Sequence, residues 1–209
     1  TIEVGGRAVS VPNPRAGRDL GISMIHQELM LANHLTVAQN IYLGREPRGR
    51  LGFTVDDREQ TRQTAELVER LGLKLDPTAK CGDLKVAQQQ MVEIAKALSL
   101  DANVLIMDEP TAALTDTEIE ELFRIIRSLR EQGKGIVHIS HRLEELQQIS
   151  DRVTVMRDGQ HVDNVKTHDA SIDEVISMMV GRTIFEEAPH LPADADEQPY
   201  VLEVRGLSR

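Results

Sequence analysis

A run of four apolar residues that ends in two adjacent carboxylates constrains the fold of this chain most strongly. Residues 104–107 read Val-Leu-Ile-Met, and Asp108 and Glu109 follow directly. An uninterrupted apolar run of this length is typical of a buried strand in a parallel sheet. Open α/β sheets bind their ligands at the carboxyl ends of such strands. The sequence therefore predicts a ligand site that includes Asp108 and Glu109.

Two further apolar runs end in polar side chains in the same way. Residues 21–26 form a short apolar run that ends at Gln27, and residues 135–139 form another that ends at Ser140 and His141. We predict strands for both runs, and a buried one for the second. Because the carboxyl ends of parallel strands lie along one edge of a sheet, these side chains are expected to converge on one ligand.

Helical patterns fill most of the chain between the predicted strands, which favours an α/β fold with a mostly parallel sheet. Residues 36–100 contain almost no strand pattern, so we expect a helical insertion between two strands of the sheet. Capping-box pairs and apolar spacing of three and four predict the individual helices. These cover residues 36–43, 56–71, 86–100, 115–132, 142–149 and 171–180, and hairpins are predicted over residues 1–11 and 153–165.

Composition excludes several classes of function. The formal net charge of −10 argues against nucleic acid as the main partner, because such proteins usually present a basic face. The single Cys81 cannot form an internal disulfide, which fits a reducing compartment. No segment approaches the roughly 18 consecutive apolar residues of a membrane helix.

The chemistry that fits the four strand-end residues is phosphoryl transfer to water. Asp108 would hold Mg²⁺, usually through a water, and Gln27 would contact the metal or the water. Glu109 would orient or deprotonate the attacking water, and His141 would bind the γ-phosphate. The competing interpretation is structural, because adjacent acids often cap helices and a single histidine at a strand end is usually structural.

Five ordered motifs resemble those of the ATP-binding cassettes of ABC transporters. Leu-Ile-Met-Asp-Glu-Pro-Thr at residues 105–111 resembles the Walker B motif, and Ile-His-Gln-Glu at 25–28 resembles the Q-loop. Ala-Ala-Leu-Thr at 112–115 is similar to the D-loop, and His-Ile-Ser-His at 138–141 is similar to the switch-histidine loop. The signature motif is expected at residues 84–90. The resemblance implies the P-loop NTPase-type fold, with ATP and Mg²⁺ as cofactors.

Further segments narrow the resemblance to the ATP-binding subunits of bacterial monosaccharide importers, the ribose, galactose, xylose and arabinose group. Met-Val-Glu-Ile-Ala-Lys-Ala-Leu at residues 91–98 and Ile-Ser-His-Arg at 139–142 carry this likeness, together with Met-Met-Val-Gly-Arg at 178–182. The resemblance implies that the signature residues contact nucleotide in an opposing cassette. In this chain those residues are Lys85, Val86, Ala87 and Gln88.

The sequence departs from the family pattern in two places that bear on nucleotide binding. The phosphate-loop pattern G-x-x-x-x-G-K-[ST] does not occur, and Gly-Lys-Gly at residues 133–135 has neither its spacing nor its hydroxyl. Lys85 stands where the family normally has a serine that contacts the γ-phosphate, and its longer, charged side chain cannot copy that geometry. We therefore expect an N-terminally truncated cassette that binds MgATP weakly or not at all and is inactive alone.

The resemblance also implies a division of the chain. A partial ATPase core is expected at residues 1–35 and 101–185, with a helical subdomain at 36–100. Residues 186–199 are acidic and hold three prolines, so they are predicted to be a linker. Residues 200–209 resemble the opening strand of a second cassette.

The implied partners are membrane permease subunits, a second ATPase cassette and, indirectly, a periplasmic sugar-binding protein. The implied location is cytoplasmic, peripheral on the inner membrane. A non-catalytic cassette that serves only for docking and dimerisation is the main alternative. A chromosome-maintenance or DNA-repair ATPase of the same superfamily is a third, but long coiled-coil insertions and basic surfaces are not evident in the sequence.

Overall fold

The computed structural model describes residues 1–49, 53–100 and 102–181, and it shows an α/β fold. The strands are β1 (Ile2–Val4), β2 (Arg7–Val9), β3 (Ile22–Ile25), β4 (Val104–Asp108), β5 (Gly135–Ile139), β6 (Arg152–Arg157) and β7 (Gln160–Lys166). The helices are α1 (Pro14–Asp19), α2 (Val37–Ile41), α3 (Asp57–Leu71), α4 (Val86–Leu98), α5 (Asp116–Glu131), α6 (Leu143–Ile149) and α7 (Ile172–Val180). The predicted linker at 186–199 and the predicted strand at 200–209 lie outside the described residues.

A parallel sheet in the order β3-β4-β5 forms the centre of the fold. Ile25 is paired with Met107, and Asp108 is paired with Ile139. Since the three strands run in the same direction, their carboxyl ends lie at one edge of the sheet. The residues that follow β3, β4 and β5 are therefore neighbours in space although they are far apart in sequence.

The two faces of this sheet differ in how they are covered. On one face Ile25, Leu105 and Met107 belong to the hydrophobic core. The opposite face contains a row of paired residues, Met24, Ile106 and Val137, that crosses all three strands. Met24 is 43% exposed and Val137 is 49% exposed. The sheet therefore presents one apolar face to solvent in the described part of the chain.

The prediction that β5 is buried was wrong. Exposed and half-buried residues alternate along this strand, and Ile139 is 45% exposed. The half-buried positions face the core, and the His138 side chain there is 6% exposed. An apolar run indicates that a strand suits burial, but it does not show whether an element covers each face.

Helix α5 supplies much of the core opposite the sheet. It lies between β4 and β5 in the chain, the arrangement of a parallel crossover. The predicted capping box is present, with the Thr115 backbone N–H donating to Glu118 Oε2 at 2.9 Å. Apolar residues at spacings of three and four along α5 are buried, and these are Ile119, Leu122, Phe123, Ile126 and Leu129. None of the described helices is long and apolar enough to cross a membrane.

The connection between β3 and β4 contains α2, α3, a 3₁₀ turn at Cys81–Asp83 and α4, as the absence of a strand pattern predicted. Helix α3 ends at Gly72, which adopts a left-handed conformation with φ of 68°. Glycine is required there because a side chain in this conformation is strained and would also meet Arg124. Helix α4 ends at Leu98, two residues earlier than predicted.

The buried Asn40 holds the loop before α2 in place. Its Oδ1 accepts from the Ala32 backbone N–H at 2.8 Å, and its Nδ2 donates to Ala32 O and to Thr36 O at 3.1 Å. Asn40 itself is 0% exposed. The amide thus provides the partner of the Ala32 N–H and a second partner for the Ala32 and Thr36 carbonyls, which also accept from the backbone N–H groups of Leu35 and Asn40.

Replacing Asn40 with alanine is expected to lower the free energy of unfolding by about 3 kcal/mol, because it removes the hydrogen bonds of a fully buried amide and leaves the Ala32 backbone N–H without a partner. Urea unfolding followed by circular dichroism measures the loss. The control is Asn33→Ala, at an exposed position of the same loop. A loss at position 40 no larger than the roughly 0.5 kcal/mol typical of surface substitutions would contradict this account.

Candidate nucleotide-hydrolysis site

Three of the side chains predicted to converge are in contact at the carboxyl edge of the sheet. Gln27 Nε2 donates to Glu109 Oε2 at 3.3 Å, and His141 Nδ1 lies 3.1 Å from Glu109 Oε1. The Glu109 side chain is 27% exposed, whereas that of His141 is 67% exposed. Glu109 therefore sits at the centre of the group, with one carboxylate oxygen directed at each neighbour.

The backbone of Glu109 adopts an unusual conformation. Its φ is 45°, in the left-handed region that non-glycine residues rarely occupy. The Glu109 N–H donates to the Ile139 carbonyl oxygen at 3.0 Å, which continues the pairing between β4 and β5 by one residue. Strain of this kind costs about 1–3 kcal/mol and is concentrated at functional sites. The conformation turns the chain sharply after β4 and directs Glu109 towards Gln27 and His141.

Asp108 is the last residue of β4 and is half-buried. Its carboxylate makes no hydrogen bond or ion pair with any described residue. The Gln27 amide donates its NH₂ to Glu109, so its Oε1 faces away from that carboxylate. Asp108 and Gln27 therefore both offer oxygen atoms that are free to accept.

Oxygen atoms of this kind are the ligands that Mg²⁺ prefers, and the ion keeps several waters when only one or two side chains bind it. No group of three or more His, Cys, Asp or Glu residues in the described segments is arranged to hold a metal ion. The remaining ligands of an Mg²⁺ ion at Asp108 would accordingly be waters or phosphate oxygens.

The predicted signature residues lie at the start of α4. The Lys85 backbone N–H donates to Gln88 Oε1 at 3.2 Å, and the Lys85 side chain is exposed. An ammonium group has no lone pair, so Lys85 cannot complete a reciprocal cap as a serine would. No described hydrogen bond or ion pair joins this helix start to the strand-end group. The four residues concerned are Lys85, Val86, Ala87 and Gln88.

The hydrogen bonds that hold the segment after Gln27 against α4 were not predicted. The Met30 backbone N–H donates to Glu93 Oε1 at 2.9 Å, and Lys96 Nζ donates to Met30 O at 3.3 Å. Glu93 and Lys96 are also an ion pair within α4. The sequence signal was a charged pair three residues apart on a helix with no other charged residue. This contact ties the segment after β3 to α4, whose N-cap residue is Lys85.

Known proteins resemble this chain in fold and in sequence. The family model described as "ABC transporter" matches residues 1–112. The cbiO1 protein of Clostridium perfringens, part of the ABC transporter complex cbiONQ, matches with a TM-score of 0.62 and 20% identity over 79% of this chain and 65% of its own. MJ1267, an ATP-binding cassette of an ABC transporter, matches with a TM-score of 0.64 and 23% identity over 79% of this chain and 67% of its own.

Sequence relatives match over the whole chain. A Burkholderia cenocepacia protein named for ATP binding in ribose, galactose and methyl galactoside import is 57% identical over 100% of this chain and 40% of its own length. The ribose import ATP-binding protein RbsA 1 of Rubrobacter xylanophilus is 53% identical over 100% of this chain and 41% of its own. The chain thus spans about 40% of the length of these curated relatives.

The parallel sheet with its flanking helices has the fold of an ATP-binding cassette, as the solved structures show. The chain belongs to the ABC transporter family.

Proposed function

We propose that this chain is part of the ATP-hydrolysing subunit of a monosaccharide importer of the ribose and galactose type. The observation that carries the proposal is the contact of Glu109 with both Gln27 and His141 at the ends of three parallel strands. The names of relatives that are 53% and 57% identical support sugar import as the process that hydrolysis drives.

In this proposal Glu109 orients or deprotonates the water that attacks the γ-phosphate. His141 is exposed enough to reach a bound phosphate while Glu109 keeps its ring oriented. Gln27 contacts Glu109 and would also contact a bound cation, so it would link the water to the metal. Asp108 and Gln27 would hold Mg²⁺, which would neutralise charge on the phosphates.

The signature residues act on a different nucleotide. We propose that Lys85, Val86, Ala87 and Gln88 face the site of an opposing cassette, which fits the absence of a hydrogen bond or ion pair between them and the strand-end group among the described residues. The helical segment at residues 36–100 is the proposed contact with the membrane permease subunits. Residues 1–35 and 101–185 form the proposed partial ATPase core. The complete subunit would then lie on the cytoplasmic side of the inner membrane, with a periplasmic sugar-binding protein as an indirect partner.

Nucleotide binding and hydrolysis test the proposal. The full-length protein is expected to hydrolyse MgATP, and its rate should rise with sugar-loaded binding protein when it is reconstituted with its membrane subunits. The 209-residue chain alone is expected to show no saturable MgATP binding in an equilibrium titration. Its sequence contains no phosphate loop, whose backbone N–H groups and lysine carry much of nucleotide affinity. A dissociation constant in the micromolar range for this chain would refute the expectation.

Lys85 favours a second candidate function, a cassette that docks and dimerises without hydrolysing ATP. A lysine at the signature position removes the hydroxyl expected to contact the opposing nucleotide. A full-length protein that binds its membrane subunits but lacks ATP hydrolysis would support this second function. Hydrolysis that depends on Glu109 would exclude it.

A further inference from the structure

A second carboxylate, Glu145 in α6, is buried beneath the loops that form the candidate site. Its side chain is 5% exposed. Thr111 Oγ1 donates to Glu145 Oε2 at 3.0 Å, and Ser140 Oγ donates to the same oxygen at 3.1 Å. The other oxygen, Oε1, lies 3.1 Å from Arg142 Nη1, an ion pair without the alignment of a hydrogen bond. One buried group thus gathers contacts from two separate loops.

The residues that contact Glu145 are close in sequence to the proposed reacting residues. Ser140 and Arg142 flank His141 on either side, and Thr111 is two residues after Glu109. The Arg142 backbone N–H also donates to Ser140 Oγ at 3.0 Å, so the Ser140 hydroxyl accepts from one flank and donates to Glu145. Glu145 therefore joins the loop of Glu109 to the loop of His141.

Burial of this carboxylate is poorly explained by stability alone. A buried charge costs several kcal/mol before pairing, and apolar replacements of buried ion pairs are often neutral or stabilising. His138 Nε2 lies 3.5 Å from Glu145 Oε2, but neither ring nitrogen of His138 has a hydrogen-bond partner. Burial lowers the pKa of His138 against the opposing effect of Glu145, so the neutral ring is favoured at neutral pH, and Arg142 forms the ion pair with Glu145. The contacts of Glu145 form only when the loop of Glu109 and the loop of His141 are both in place, so they specify one arrangement of the two loops.

We propose that Glu145 is a positioning residue that fixes His141 at hydrogen-bond distance from Glu109. Its consequence for hydrolysis rests on the proposed function, whereas its consequence for the geometry of His141 does not. Glu145 touches neither the nucleotide nor the water in this account. It acts by holding the backbone on both sides of His141 against the segment that follows Glu109.

The test uses two substitutions of similar shape. Glu145→Gln removes the charge that pairs with Arg142, and Thr111→Val removes the hydroxyl that ties the Glu109 loop to Glu145. In the full-length protein each is expected to lower kcat for ATP hydrolysis by about tenfold to a hundredfold, because small misplacements of reacting groups have effects of this size. The KM for ATP should stay within about twofold, since positioning of the reacting groups acts on the chemical step.

A spectroscopic measurement is independent of activity. In the 209-residue chain, the ¹⁵N signal of His141 Nδ1 reports its hydrogen bond to Glu109, and both substitutions are expected to shift or broaden it. The matched control is Glu144→Gln, at the exposed neighbouring position of α6, which should change neither the signal nor the rate. Thermal unfolding of each variant checks that the fold is retained, and Thr111→Val serves if Glu145→Gln does not fold.

The outcomes separate the two proposals. An unchanged His141 signal in both folded variants, with kcat within about twofold of the unsubstituted protein, would overturn the positioning role. A full-length protein that lacks ATP hydrolysis while the substitutions still shift the His141 signal would refute the proposed function and support the positioning role of Glu145.

Discussion

Replacing Glu109 with glutamine is expected to lower kcat for ATP hydrolysis in the full-length protein by about 10²–10⁴-fold, the range typical of lost general-base catalysis. The amide has nearly the shape of the carboxylate, so the substitution changes charge and acceptor capacity with little change in packing. Glu109 now accepts at both oxygens, one towards Gln27 and one towards His141. Glutamine would present an NH₂ to one of them and cannot take a proton from water.

Steady-state hydrolysis and equilibrium MgATP binding are measured on the same preparations. Binding should be retained, since Glu109 acts on the attacking water rather than on the nucleotide in the proposed mechanism. The control is Glu120→Gln, at an exposed position of α5. A Glu109→Gln protein that hydrolyses ATP within a few-fold of the original rate would rule out the proposed role of Glu109.

The 209-residue chain is expected to associate with itself through the exposed face of its central sheet. Met24 and Val137 lie in one row across the strands, and Ile139 adds a further apolar side chain at the edge of the same sheet. Contiguous exposed apolar surface is a common site of protein association. Sedimentation velocity over a range of concentrations measures the association constant.

The double substitution Val137→Thr and Ile139→Thr is expected to weaken this association by about 100-fold. Each substitution is expected to remove about 1.5 kcal/mol of favourable free energy that the apolar side chain contributes when it is buried in the interface. A loss of about 1.4 kcal/mol corresponds to a factor of ten in affinity. Threonine keeps the β-branched shape that suits a strand, so β5 should still form. The matched control is Met156→Thr on β6, where the side chain is 63% exposed. A chain that sediments as a monomer at every concentration would contradict the prediction.

The meeting of Gln27, Glu109 and His141 could be predicted because strand direction fixes it. Each of the three follows an apolar run, and parallel strands bring their carboxyl ends to one edge of the sheet. Helix boundaries at Thr115, Ser171 and Gly181 were equally predictable, because capping residues act within one turn of the chain. Local chemistry therefore determined most of the elements and the outline of the site.

Features that depend on distant contacts could not be predicted. Glu145 is one of two adjacent acids at the start of a short helix, and its burial follows from the loops that close over it. The exposed face of β5 depends on which elements cover the sheet, which the apolar run does not encode. Helix α1 was missed because it lacks an apolar period, although Asn13 before Pro14 is a helix-start signal, and Asn13 Oδ1 does accept from Ala16 N at 2.9 Å.

The left-handed backbone conformation of Glu109 lowers the stability of the fold, whereas the proposed reaction needs the Glu109 side chain. Selection for stability and selection for catalysis therefore favour different residues at this position. Glycine occupies such a conformation without the penalty that a side chain incurs, so replacement of Glu109 by glycine would relax the turn after β4. Variants recovered by a screen for thermal tolerance alone would therefore tend to discard the residue that the proposed reaction needs most. In a laboratory lineage or a gene copy that is not selected for ATP turnover, residue 109 is expected to be among the first positions to be substituted.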